Sequence, residues 1–169
     1  IQRSRGLGDV YKRQLYKQDK EYKEIDIIDI FCGTGSLGIE AISRGSKNIF
    51  FIDNSKKAIN LTKMNCEKLK IKNVNLLNYN FFDINLSFIK QADVIFLDPP
   101  YKIYDPSEIL RILLSKNLLK VDGILIFETS TKNKVQDFKE LRLLKKKNVS
   151  KSSYYLSLIH ISEPTRPLD

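Results

Sequence analysis

Histidine is almost missing from this sequence: the one residue, His160, lies close to the C-terminal end. Cysteine is nearly as scarce, with only Cys32 and Cys66. Two cysteines are too few for a disulfide framework or a zinc site, so no metal centre and a reducing, cytoplasmic setting are expected. No apolar run is long enough to cross a bilayer, so no membrane association is expected, and there is no internal repeat and no signal-peptide pattern. Acids are outnumbered, with 29 Lys and Arg against 20 Asp and Glu and a formal charge of +9. Such an excess suits a polyanionic partner. Lys, Asn and Ile also share A/T-rich codons, so genome composition is a second source of the same charge.

The two ends of the chain are related in an unusual way. Residues 9–14 read DVYKRQ, which GAT-GTG-TAT-AAG-AGA-CAG would encode. The reverse complement of that string encodes LSLIHI, which is residues 156–161. One DNA string read on opposite strands at two ends has no protein-level cause; it has the character of translated sequencing adapter, continuing through SEPTR at 162–166. Residues 1–14 and 156–169 are therefore expected to be adapter, around a native segment 15–155 that lacks the natural protein's N-terminal part. Together the ends carry a net +2, which leaves +7 for the native segment and takes the only histidine with them. That segment, about 140 residues, is enough for one domain with a sizeable core, and a monomer is expected.

What is present is organised around residues 28–45, IDIFCGTGSLGIEAISRG. A buried strand (25–31) turns sharply through Gly33-Thr34-Gly35 and enters a helix at Ser36, which is the expected N-cap. Gly45 is a natural stop for that helix. Strand, glycine turn and helix N-terminus together make a site for a nucleotide-like ligand, because a turn without Cβ atoms lets the backbone come close. Gly33-x-Gly35-x-x-Gly38 alone is also compatible with a ligand-free connection. The next strand (48–52) ends in Asp53, about 20 residues beyond the first glycine, where an acid takes a ribose hydroxyl pair. The residues thus point to a nucleoside ligand, either a dinucleotide or S-adenosylmethionine.

Further along, residues 15–23 read as the end of a helix. Residues 55–70 read as another, with Ala58, Leu61, Met64 and Leu69 spaced for one apolar face. A short strand at 74–77 leads to Phe81-Phe82-Asp83, and a continuous apolar strand at 92–97 leads to Asp98-Pro99-Pro100-Tyr101. Pro106 suits the first turn of a helix over 106–116. A buried strand is expected at 123–128, and 141–147 with 152–156 form a closing antiparallel pair. Alternating strands and helices imply a doubly wound, mostly parallel α/β sheet with ligands beyond the strand C-termini. Asp29, Asp53, Asp83 and Asp98 all fall at or near such ends.

The tetrapeptide Asp98-Pro99-Pro100-Tyr101 suggests the chemistry. Two prolines stiffen a loop whose carbonyls, with the Asp98 carboxylate, offer acceptors to an amino group. Tyr101 offers a flat face for a base. A nucleobase amine is a poor nucleophile because its lone pair is delocalised. Accepting hydrogen bonds from its N–H groups draws the nitrogen towards a tetrahedral geometry that can meet a methyl sulfonium in line.

With these motifs the chain resembles the bacterial small-subunit ribosomal RNA guanine-N2 methyltransferases of the RsmD family. The resemblance rests on the block from Asp29 to Gly38, on residues 40–45 and on Asp98 to Tyr101, and it covers about residues 25–155. It implies a class I, Rossmann-like methyltransferase fold of seven strands with the last reversed. It further implies methyl transfer from S-adenosylmethionine to the N2 amine of a guanosine in 16S rRNA, guanosine 966 in the family, on RNA or a partly assembled small subunit. By position, Asp29 and the turn Gly33, Thr34 and Gly35 would hold the methionine end of the cofactor and Asp53 the ribose. Asp83 would take the adenine amino group beside Phe82, and Asp98, Pro99, Pro100 and Tyr101 the target guanine. Other readings explain less. An adenine-N6 methyltransferase shares the tetrapeptide but usually carries a target-recognition region, for which there is no room. A pyrimidine-C5 enzyme needs a cysteine nucleophile, and neither Cys32 nor Cys66 is placed for it. A nicotinamide oxidoreductase leaves residues 98–101 unexplained, and a non-catalytic RNA-binding module leaves the acids unexplained.

Overall fold

The computed structural model describes residues 25–83, 85–100 and 102–159. Its strands are β1 (Asp26–Ile30), β2 (Asn48–Asp53), β3 (Val74–Asn78), β4 (Ala92–Leu97), β5 (Leu119–Ser130), β6 (Leu141–Val149) and β7 (Ser152–Ile159). Its helices are α1 (Ser36–Ser43), α2 (Lys56–Lys68) and α3 (Pro106–Ser115). All six residues of β4 are buried, as a strand covered on both faces requires. Among the described residues, no helix is long and apolar enough to cross a membrane.

The strands lie in the order β3-β2-β1-β4-β5-β7-β6. β1 to β5 pair in parallel, and β7 runs antiparallel to both β5 and β6. This is the expected doubly wound sheet with a reversed last strand. From β1 the chain winds outward to β3, then returns on the other side of β1 as β4. Winding reverses between β1 and β4, and there open α/β sheets leave a crevice beyond the strand C-termini. Register keeps the crevice rim level. Ile30 pairs with Ile52 and with Leu97, so Phe31, Asp53 and Asp98 follow side by side.

Period-two alternation sorts the side chains between two faces. Ile27, Phe51 and Phe96 pack with Ala41 of α1 and Ile59 of α2. Ile28, Ile95 and Leu97 pack with Ile109 and Leu113 of α3. Asp29 has the parity of Ile27 and therefore lies beneath α1.

Three local expectations are corrected. Ser36 does not cap α1; Gly35 stands at the N-cap with φ 77°, and no side chain there bonds the helix. The face of α2 is rotated: Ile59, Thr62 and Cys66 are buried, while Leu61, Met64 and Leu69 are exposed. Thr62 is tolerated inside because its hydroxyl donates to the Gly33 carbonyl at 3.0 Å, so a polar residue completes the buried stripe. β5 begins at Leu119 rather than 123, across a register shift opposite Ala92 and Val94. Pro106 starts α3 as expected, and Asp105 caps it, its carboxylate accepting from Ser107 and Glu108 N–H.

The boundary at 155 falls inside β7. Leu156 and Leu158 are buried, and the strand is paired with β5 as far as Leu158 and with β6 as far as Ile159. That part of the segment read as adapter thus completes the sheet. Residues 1–14, 15–23 and 160–169 lie outside the described residues.

Gly38 sets how closely α1 approaches β2. A Cβ there would stand 2.3 Å from Ile49 Cδ1 and 2.4 Å from Phe51 Cε1. Gly38→Ala should gain about 1 kcal/mol of helix propensity and lose roughly 1–3 kcal/mol to overpacking. A net loss of stability in urea unfolding is the expected outcome; a more stable variant would contradict this packing.

Candidate active site

β1 ends in strained backbone. Phe31 has φ 61°, and a bulky residue in that left-handed region costs of order 1–3 kcal/mol. Gly33 and Gly35 follow, also at positive φ. Their surroundings differ. A Cβ on Gly35 would strike Thr62 Cγ2 at 2.6 Å, whereas nothing lies within 4 Å of a Cβ built on Gly33. Gly35 is thus fixed by packing against α2. Gly33 leaves open space beside its backbone, the cradle that close approach of a ligand needs.

The turn is held from outside. Gly33 N–H donates to Asp53 Oδ2 at 3.0 Å, and Asn65 Nδ2 donates to the Thr34 carbonyl at 3.0 Å. Asp53 Oδ1 accepts Ser55 N–H at 2.9 Å, at the entry to α2. Each Asp53 oxygen therefore has one N–H donor and acceptor capacity for another.

Asp29 replaces the expected serine cap. Its Oδ2 accepts Gly38 N–H at 3.0 Å from a position only 1% exposed. Burial pushes its pKa up to about 8; the Gly38 bond works against that, and the neighbouring charges of Asp98 and Asp53 add to it. Burial also raises the Cys32 thiol far above its usual range, with Asp29 contributing, and burial raises Cys66. Neither thiol is an activated nucleophile.

Asp98 is half-buried at the end of β4, Pro99 is buried and Pro100 is exposed. Asp98 N–H points to the Ile30 carbonyl at 3.5 Å, which ties this loop to the end of β1. Tyr101 lies outside the described residues. Asp83, beyond β3, is exposed and accepts Asn80 Nδ2 at 2.7 Å.

Phe82 joins an aromatic cluster of which sequence reasoning named only one member as a site residue. Its ring centroid is 4.6 Å from Tyr104 and 6.2 Å from Phe31, and Phe31 lies 5.9 Å from Tyr104 and 5.8 Å from Phe81. The rings link the segments that follow β1, β3 and β4. Tyr104 had one signal available: it is an aromatic residue three positions beyond Tyr101 in the same connection. Phe31 had none, because it reads as the last apolar residue of a strand. The structure thus gathers Asp29, Gly33, Thr34, Gly35, Asp53 and Asp98 at one rim, with Phe82 and Asp83 on its β3 side.

The raised Asp29 pKa makes stability depend on pH. The folded chain binds this proton more tightly than the unfolded chain, whose aspartate has a pKa of about 3.9. Its neutral form therefore stabilises the fold fully below pH about 4, and the advantage is lost as pH rises to about 8. Asp29→Asn keeps an acceptor for Gly38 and cannot ionise. Urea unfolding between pH 5 and 8 should favour the variant increasingly, by up to about 1.4 kcal/mol per pH unit. A constant difference across that range would contradict the assignment.

Comparison with known proteins agrees with this architecture. The family model described as Conserved hypothetical protein 95 matches residues 3–157. Ribosomal RNA small subunit methyltransferase D of Haemophilus influenzae is 31% identical over 161 residues, covering 90% of this chain and 81% of the relative. Its namesake from Buchnera aphidicola subsp. Baizongia pistaciae is 32% identical over 145 residues, covering 85% and 74%. Among solved structures, a Haemophilus influenzae protein described as a methylase superposes with TM-score 0.79 at 26% identity, over 92% of this chain and 98% of that one. An Aquifex aeolicus SAM-dependent methyltransferase shares the fold at TM-score 0.62 and 20% identity, over 88% and 89%. With the seven-stranded sheet and its crevice, these matches make the chain a member of the RsmD family, with the Rossmann-like α/β fold of class I methyltransferases.

Proposed function

We propose that this chain transfers a methyl group from S-adenosylmethionine to the exocyclic N2 amine of a guanosine in small-subunit rRNA, at the position equivalent to guanosine 966. The observation that carries the reading is the shared rim of the glycine turn, Asp53 and Asp98 at the winding reversal between β1 and β4. Membership of the RsmD family supports ribosomal RNA as the substrate.

The residues present fit the cofactor. Asp53 keeps acceptor capacity for the ribose hydroxyls, and the open side of Gly33 leaves room for the methionine end. Asp29 and its neighbouring carboxylates favour a cationic group there. Phe82 offers an apolar face for adenine and Asp83 an acceptor for its amino group. When bound, S-adenosylmethionine supplies an electrophilic methyl group on a sulfonium that leaves as a neutral thioether.

The protein's work is on the amine. Asp98 and the carbonyls of the proline loop accept hydrogen bonds from its N–H groups. That frees the nitrogen lone pair from the ring and aims it at the methyl carbon. Tyr101 stacks on the target base and fixes its plane. The amine loses one proton as the new N–C bond forms. Cys32 and Cys66, held as neutral thiols, take no part, and no covalent adduct with the protein is needed.

Asp98→Asn separates chemistry from binding. The amide is uncharged and can turn a donor towards the amine. Cofactor affinity should persist, while kcat on small-subunit RNA from cells lacking the enzyme falls by roughly 10²-fold or more. Mass spectrometry of the digested product should find the methyl group on guanine N2. Near-normal turnover in the variant, or methylation at adenine N6, would overturn the proposal.

A further inference from the structure

The crevice end of the sheet carries a second feature that the cofactor site does not use. Residues 129–136 and 141–159 contain no Asp or Glu, yet they hold Lys132, Lys134, Arg142, Lys145, Lys146, Lys147 and Lys151. Topology gathers much of this charge. Ser130 ends β5 beside Ser152 of β7, and Val149 of β6 lies across from the same residue. Thr131 N–H donates to the Lys151 carbonyl at 2.9 Å, which joins the loop after β5 to the β6–β7 turn. Lys132, Lys134, Lys147 and Lys151 all lie outside the core, and all four are exposed. Among the described residues, none of these four ammonium groups is within ion-pair distance of a carboxylate.

A lysine-rich edge strand is also a guard against edge-to-edge pairing. That accounts for lysines along β6, but not for Lys132, Lys134 and Lys151, which lie in the connections at the crevice end. Their position points to a ligand. β5, β7 and β6 lie one, two and three strands from β4, which at strand spacing puts the β6 corner about 15 Å from the end of the Asp98 strand. A strand of RNA whose target base enters beside Asp98 passes this corner within a few nucleotides.

We propose that Lys132, Lys134, Lys147 and Lys151 form a track for the phosphodiester backbone of the substrate RNA flanking the target guanosine. This rests on the RNA-methyltransferase reading above. The track meets phosphate, so it positions the strand without selecting its sequence. Its strength is salt-dependent, because each neutralised phosphate releases counterions.

The test compares the full chain with K132Q/K147Q/K151Q and with a control of equal charge loss far from the crevice, K68Q/K70Q/K72Q. Binding of a fluorescent small-subunit RNA fragment is followed from 50 to 200 mM salt, with calorimetric cofactor affinity as the check on folding. The track variant should bind roughly tenfold or more weakly at low salt. Its slope of log K against log salt should become shallower by about 0.7 for each phosphate no longer neutralised. The control should stay within about twofold of the unaltered chain, and K132R/K147R/K151R should keep the affinity. A track variant indistinguishable from the control overturns the proposal even if the unaltered chain methylates RNA. If the unaltered chain neither binds nor methylates RNA, the functional reading falls as well. Should the triple variant unfold, the three single substitutions decide, each expected to make the slope shallower by about 0.7.

Discussion

A buried aspartic acid side chain bonded to a helix amide holds this site together. Asp29 lies in the middle of the sheet, 1% exposed, and its Oδ2 accepts Gly38 N–H at 3.0 Å. One bond ties the end of β1 to the first turn of α1 and so fixes the path of the glycine turn between them. The cost of burying the acid appears as its raised pKa, and the helix end offsets part of that cost because unsatisfied N–H groups there favour negative charge. Packing then locks the arrangement. Gly38 lets α1 sit close on Ile49 and Phe51, and Gly35 lets the turn sit close on Thr62.

The two ends of the sheet treat acids differently, and the contrast points to function. At the strand starts, Lys120 Nζ lies 2.7 Å from Asp93 and 3.6 Å from Asp26, and Asn48 Nδ2 donates to Asp26 at 2.9 Å. That cluster is a structural clasp. At the strand ends, the charged neighbours that act on Asp29 are the carboxylates Asp98 and Asp53. A fold tolerates such repulsion where a ligand relieves it, and a sulfonium with an ammonium group is a ligand of the right sign. The lysines of the β5–β7–β6 corner lie one to three strands beyond the Asp98 strand. One end of one sheet thus carries negative charge where the cofactor is proposed to bind and positive charge where the RNA backbone is proposed to pass.

Much of the fold was legible because β1, β2 and β4 are short, mainly apolar runs, broken in β1 by Asp26 and Asp29 and in β4 by Asp93, bounded by turn residues as covered strands are. The glycine turn and Asp98-Pro99-Pro100 were legible because those residue types have narrow conformational uses. Helix α2 was misjudged because two stripes competed: Ala58, Leu61, Met64 and Leu69 are the more apolar set, but Ile59, Thr62 and Cys66 face the sheet. Only tertiary contact gives the Thr62 hydroxyl its acceptor at the Gly33 carbonyl. Asp29 as a cap was hidden for the same reason, since its partner, nine residues on, is brought near by the turn. Phe31 and Tyr104 escaped notice because aromatic residues at a strand end and in a loop carry no periodic signal. The extent of β7 was obscured because a DNA-level relation between the chain ends says nothing about which residues pair.

At the centre of this account, a buried, protonated Asp29 awaits a cationic cofactor beside Asp53 and Asp98. Titration calorimetry with S-adenosylmethionine at pH 7, in two buffers of different ionisation enthalpy, tests it most directly. Binding of a cation should draw the Asp29 pKa down from about 8, so binding should release a substantial fraction of one proton per ligand, and Asp29→Asn should abolish that release. Heats that are the same in both buffers for the unaltered chain, or an absence of binding, would contradict the account.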